Sequence, residues 1–171
     1  MNYFEHFDLP VAFDLDESKL KKSYLQISRQ FHPDFYTLES DDVQSEVLSK
    51  SAYNNTAFNT LKDPDLRVKY ILDLNEMLSA EGSNKLDQDF LMEVMEINEV
   101  IMGLNFDFDQ VKHNEVVITT EKFKADLNND VQEAMNHFDQ GIDQHDNLQK
   151  IKSYYLKNKY LARMLENISK I

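Results

Sequence analysis

An all-α fold in two helical parts is predicted for this 171-residue chain by three observations. It has only three glycines and three prolines and no extended polar tract, so little of it is left for irregular structure. Apolar residues recur at helical spacing through most of its length. The interruptions carry proline, glycine or capping aspartates. A hydrophobic content of 42% at this length suffices for one ordinary domain or two small ones that fold without staples. No internal repeat is visible.

A short helix is expected over Tyr3 to Phe7, broken by Leu9-Pro10. Asp14 or Asp16 caps the next helix, and Glu17 in its first turn suits the macrodipole. Within it Leu20, Tyr24, Ile27 and Phe31 fall at i, i+4, i+7 and i+11 and make one buried face. Lys19, Lys22, Gln26 and Arg29 project from nearly the opposite side. Pro33 has a fixed φ and disfavours the α region at His32, so the helix stops by Phe31 or His32. His32-Pro33-Asp34 is then a stiff, exposed corner, followed by an exposed loop from Asp34 to Asp42. A long helix runs from about Asp42 to Leu61 until Lys62-Asp63-Pro64 stops it, and a shorter one covers about Leu66 to Asn75. Asn75 to Asp87, with Ser79, Gly82, Ser83 and Asn84, reads as a connector. Helical patterns over about Asp89 to Leu104, Thr119 to Gln140 and Gln144 to Ser169 suggest an antiparallel three-helix bundle. The expected organisation is an N-terminal domain over residues 1–75, a connector over 76–87 and a C-terminal bundle over 88–171.

Composition narrows the function. With no cysteine, the chain holds no disulfide, no thiolate-ligated zinc and no iron–sulfur cluster of its own. A formal charge of −13 makes nucleic acid an improbable partner, since binding depends on neutralising phosphates. No stretch approaches ~18 apolar residues, and Met1-Asn2-Tyr3-Phe4-Glu5 lacks the basic and apolar regions of a signal peptide. A cytoplasmic protein with no membrane partner is expected. His6, His113, His137 and His145 are scattered without a ligand pattern, so neither a metal nor a cofactor is expected.

A basic helix face leading into His32-Pro33-Asp34 resembles the J domain of DnaJ-type co-chaperones. Ser51-Ala52, Asn55, Ala57-Phe58, Thr60-Leu61-Lys62, Pro64, Arg67 and Tyr70 resemble that domain's third and fourth helices. The opening Tyr3-Phe4 with Phe7-Asp8-Leu9-Pro10, the chain length, and Phe90-Leu91-Met92-Glu93 are similar to one branch, the HscB-type co-chaperones of iron–sulfur cluster assembly. The resemblance covers essentially the whole chain. It implies that Lys19, Lys22, Arg29, His32, Pro33 and Asp34 engage a DnaK-type (HscA-like) chaperone. Phe35 stands where J domains often carry Lys.

In the helix after Asp89, Phe90, Val94, Ile97, Ile101 and Leu104 form the stripe expected to pack. Leu91, Met92, Met95 and Met102 lie beside that stripe, edged by Glu96 and Glu99. One apolar face is enough for bundle packing, so the surplus strip is a candidate partner surface, and methionine suits adaptable contacts. The resemblance implies an iron–sulfur scaffold protein (IscU-like) bound at Leu91, Met92, Met95, Glu96 and Glu99, joined by an aromatic residue of the last helix: Tyr155, or its neighbour Tyr154. The family pattern also favours an acidic residue near Gly103, which this chain lacks.

Three functions are set against one another. The first is a co-chaperone that brings an iron–sulfur scaffold to a DnaK-type chaperone and stimulates its ATPase. The second keeps the J domain but gives the bundle a different client. The third is an enzyme using His32 and Asp34 as acid and base, for which no nucleophile elbow, phosphate loop or metal set is present.

Overall fold

The computed structural model describes residues 1–79 and 85–171. Gly82, Ser83 and Asn84 of the expected connector lie outside the described residues. All regular structure among the described residues is helical: α1 (Tyr3–His6), α2 (Glu17–Gln30), a 3₁₀ turn (Pro33–Tyr36), α3 (Asp41–Lys62), α4 (Pro64–Leu74), α5 (Gln88–Phe106), α6 (Gln110–Asp139) and α7 (Gln144–Ile168). The chain divides into two compact units, Met1–Ile71 and Leu72–Ile171, the division falling inside α4.

The first unit is an α2–α3 hairpin braced by α1 and α4. Of the two candidate caps it is Asp16 that starts α2, accepting from the Lys19 amide at 3.0 Å. That hydrogen bond holds the Asp16 carboxyl below its ordinary pKa. Of the expected inner face of α2, Leu20 is fully buried, whereas Tyr24, Ile27 and Phe31 are only partly covered. A two-helix hairpin shields one side of each helix, so burial fades toward the corner. Asn54 of α3 is buried and has its amide satisfied across three helices. Its Nδ2 donates to the Tyr24 carbonyl at 3.2 Å and to Ser28 Oγ at 2.9 Å, while its Oδ1 lies 3.0 Å from His6 Nε2. Tyr24 stacks on Phe58 at 4.1 Å between centroids and donates its hydroxyl to Asn55. These contacts fix the register of the hairpin.

Helix α3 ends at Lys62, because Pro64 pushes Asp63 into an extended conformation (φ −85°, ψ 120°). The Asp63 side chain then accepts from the Leu66 amide at 3.0 Å, so α4 starts at Pro64, two residues before the expected Leu66. The Arg67 guanidinium donates to the Leu61 carbonyl at 2.6 Å, placing a cation at the negative end of α3.

The second unit is a three-helix bundle. Phe90, Val94, Ile97, Ile101 and Leu104 of α5 are all buried, as the periodicity predicts, and pack with Val116 of α6 and Leu161, Met164 and Ile168 of α7. Helices α6 and α7 run antiparallel through a turn in which Gly141 (φ 78°) and Asp143 (φ 38°) take left-handed conformations. His113 near the start of α6 reaches the Ile168 carbonyl at the end of α7, at 3.2 Å. Asp87 caps α5 by accepting from the Phe90 amide at 2.8 Å and pairs with Lys157 of α7 at 2.6 Å.

The largest boundary correction falls on α6. α6 begins at Gln110, well before the expected Thr119. The run Val116-Val117-Ile118-Thr119-Thr120 is poor in intrinsic helix propensity because β-branched side chains are confined at χ1. Packing overrides that preference. Val116 and Thr120 are buried one turn apart, Thr120 returns its hydroxyl to the Val116 carbonyl at 2.7 Å, and Asp109 caps the new start through the Val111 and Lys112 amides.

Candidate functional site

The corner between α2 and α3 is built by the residues around Pro33. His32 takes an extended conformation (φ −73°, ψ 123°), as the residue before a proline does, and Pro33 opens a single 3₁₀ turn inside the expected loop. The Asp34 amide donates to His32 Nδ1 at 3.3 Å, folding the corner back on itself. The Asp34 carboxylate lies 3.7 Å from the same Nδ1. Both helices hold the turn. Tyr36 donates its hydroxyl to the Gln30 carbonyl at the end of α2 (2.8 Å), and Gln44 of α3 donates to the Thr37 and Glu39 carbonyls. Lys50 of α3 sits 4.9 Å from the centroid of the Phe31 ring.

The side chains of His32 and Asp34 are 52% and 83% exposed, and such an open pair has no water-excluding enclosure for acid–base chemistry. A braced, solvent-facing corner suits docking. Along α2, Lys22 and Arg29 line one shallow outer groove with Lys21 and Leu25. Lys19 stands apart, 3.5 Å from Asp16. Lys21 and Leu25 were missed by the sequence reading; their spacing to Arg29, at i+8 and i+4, is the signal that would have found them.

In the second unit, Leu91, Met92, Met95 and Met102 are exposed, with Met92 and Met95 at 64% and 59%. Glu96 and Glu99 are exposed beside them. Because the opposite face of α5 fills the core, these side chains contribute little to bundle packing. Glu96 also borders a shallow groove between α5 and α6 lined by Val100, Lys112, Glu115 and Thr119. On α7, Tyr154 is buried and donates to Asn128 at 3.2 Å, whereas Tyr155 is half-buried. Of the two aromatics, Tyr155 keeps the accessible ring surface. Sequence reading missed Phe106, 90% exposed at the C-terminal end of α5, because the expected helix stopped at Leu104.

No group of three or more His, Asp or Glu residues among the described residues could hold a metal ion. Among them, no helix is long and apolar enough to cross a membrane.

A helical hairpin with a His-Pro-Asp corner, together with a separate three-helix bundle, is the architecture of a J-domain co-chaperone. A family model described as the HSCB C-terminal oligomerisation domain matches residues 86–169. The co-chaperone protein HscB homolog of Psychromonas ingrahamii is 33% identical over 133 residues, covering 77% of this chain and 78% of its own. That of Colwellia psychrerythraea is 30% identical over 172 residues, covering 98% of each chain. The crystal structure of human co-chaperone protein HscB superposes with a TM-score of 0.77 at 26% identity, covering 99% of this chain and 81% of the human one. The chain belongs to the HscB co-chaperone family.

Proposed function

We propose that this protein is a non-enzymatic adaptor of iron–sulfur cluster assembly, working in the cytoplasm without a cofactor. Residues 1–75 act as the J domain and residues 88–171 as the client-binding bundle. The bundle binds an iron–sulfur scaffold protein (IscU-like) at Leu91, Met92, Met95, Glu96, Glu99 and Tyr155. The J domain presents that client to a DnaK-type (HscA-like) chaperone and stimulates its ATP hydrolysis. The observation that carries this is the coexistence, in one chain, of a braced and exposed His32-Pro33-Asp34 corner and an unburied Met/Leu strip with an acidic margin.

The mechanism follows from charge and rigidity. Lys22 and Arg29, with Lys19 at the edge, steer the domain to an acidic chaperone surface and mainly accelerate association. His32, Pro33 and Asp34 then make contacts that differ between the chaperone's conformational states, biasing it toward the hydrolysing one. Holding client and chaperone on one molecule raises their effective concentration. Single-turnover ATP hydrolysis by the chaperone tests the corner: His32→Gln is expected to abolish stimulation while leaving fold and scaffold binding unchanged. A His32→Gln variant that stimulates like the wild type would refute it.

A further inference from the structure

Between the segment leading into α5 and the first half of α7 lies an open depression of about 390 Å³, within the range of about 300–1,000 Å³ usual for small-ligand sites. Lys85 lines it from the segment before α5, and Gln149, Lys152 and Ser153 line it from α7. None of these residues belongs to either proposed docking surface. The one carboxylate of the lining, Asp87, is already committed: it pairs with Lys157 at 2.6 Å and accepts from the Phe90 amide at 2.8 Å. Neither Lys85 nor Lys152 has an ion-pair partner among the described residues. For Lys152 the reason is in the sequence. Its helical neighbours at i±3 and i±4 are Leu148, Gln149, Tyr155 and Leu156, none of them acidic. Lys50 and Lys170, by contrast, each pair with a glutamate four residues earlier, at 2.6 and 2.7 Å. Lys152 is half-buried where those two are exposed, and an ion pair strengthens as water is withdrawn from around it. In a chain of 31 acidic and 18 basic residues, two uncompensated cations sharing one cavity are not explained by charge balance.

We propose that this depression binds a small polyanion, a free phosphate or carboxylate compound, with Lys85 and Lys152 as its counter-charges. The Ser153 hydroxyl and the Gln149 amide are donors of the kind that anion oxygens accept from. Leu86 and Leu156 complete the lining and suit a short carbon skeleton. Two cations reward a ligand with more than one negative group over a monovalent ion. The net charge of −13 does not forbid it: at physiological salt, charges beyond about 8 Å are largely screened, so the local lining decides. A long polyanion such as nucleic acid would extend past the cavity and over an acidic chain, which favours a compact ligand.

Titration of the full chain with sodium pyrophosphate and, separately, with sodium citrate tests the site by amide NMR shifts and thermal melts, ionic strength being held constant with sodium chloride. Saturable shifts are expected at Lys85, Gln149, Lys152 and Ser153. The melting temperature should rise with ligand, because the anion binds the folded state. Changing Lys85 and Lys152 together to Gln is expected to weaken binding at least about tenfold, as the loss of two charge-assisted contacts requires, with the ligand-free melting temperature unmoved. Lys152→Arg keeps the charge and should bind within about threefold of the wild type. Should the double variant melt lower on its own, Lys85→Gln alone, outside any helix, carries the test with a loss of about threefold or more. Binding of pyrophosphate only would make the ligand a phosphate compound, and of citrate only a carboxylate; either supports the site. Shifts that chloride reproduces, or that the double variant retains in full, would reduce the effect to ionic screening and overturn the proposal. So would shifts confined to the basic groove of α2.

Discussion

Replacing Leu91, Met92 and Met95 together by Ala separates docking from packing. Leu91 is 43% exposed, Met92 64% and Met95 59%. Fully burying such a side chain is worth about 1.5–3 kcal/mol, and a partner covers only the part still exposed. Scaled by those exposures, the three together have at most about 2.5–5 kcal/mol to contribute on docking. Ordering and truncation effects reduce the observable share, so a loss of more than about 2 kcal/mol in scaffold affinity, roughly thirtyfold, is expected. The folded state should lose little. Alanine has higher helix propensity than the residues it replaces, and the core face of α5 is untouched. Were the three packed in the bundle, each truncation would cost about 2–5 kcal/mol of stability. Isothermal titration against the scaffold protein and thermal melts on the same variant provide both readings. A large fall in melting temperature with unchanged affinity per folded molecule would refute the docking role.

Chaperone stimulation at subsaturating protein should fall as salt rises, since screening shortens the Debye length from ~10 Å at 0.1 M to ~3 Å at 1 M. Charge reversal of Lys22 and Arg29 should mimic that loss, and a flat salt response with a fully active reversal variant would make the groove a solvated face. Asn54→Ala leaves the Tyr24 carbonyl and Ser28 without their donor and should cost about 1–3 kcal/mol in denaturant unfolding, with a wild-type midpoint counting against the bracing role. The Asp87 carboxyl is held below its ordinary value chiefly by Lys157 and then by the Phe90 amide. Because its folded pKa is depressed, Asp87 contributes stability above the unfolded carboxylate value, and that contribution is lost as pH falls through the folded value. Asp87→Asn should therefore flatten the acid limb of the stability–pH curve; an unchanged limb would deny the coupling.

The parts of the fold set by local covalent and capping chemistry were readable in the sequence. Pro33 and Pro64 keep His32 and Asp63 out of the α region, so α2 and α3 end before them, and the period of Phe90, Val94, Ile97, Ile101 and Leu104 identifies the core face of α5. What was not readable depends on tertiary contact. The start of α6 lies in a β-branched run that becomes helical through packing and the Asp109 cap. The partial exposure of Tyr24, Ile27 and Phe31 comes from how little of α2 a hairpin covers. On the surfaces, Leu91, Met92 and Met95 stood out as an excess over what one packed face needs. Phe106 did not, because it lies past the last periodic core residue, and choosing Tyr155 over Tyr154 required knowing which ring is buried.

The adaptor mechanism requires that one molecule carry both client and chaperone. Single-turnover hydrolysis by the chaperone in the presence of the scaffold protein tests it most directly, comparing the wild type with an equimolar mixture of His32→Gln and the Leu91, Met92 and Met95 triple-Ala variant. The mixture supplies an intact corner and an intact strip, but on different chains. Physical coupling predicts that the wild type shows scaffold-dependent stimulation and the mixture does not. Scaffold-dependent stimulation by the mixture equal to that of the wild type would contradict the adaptor mechanism.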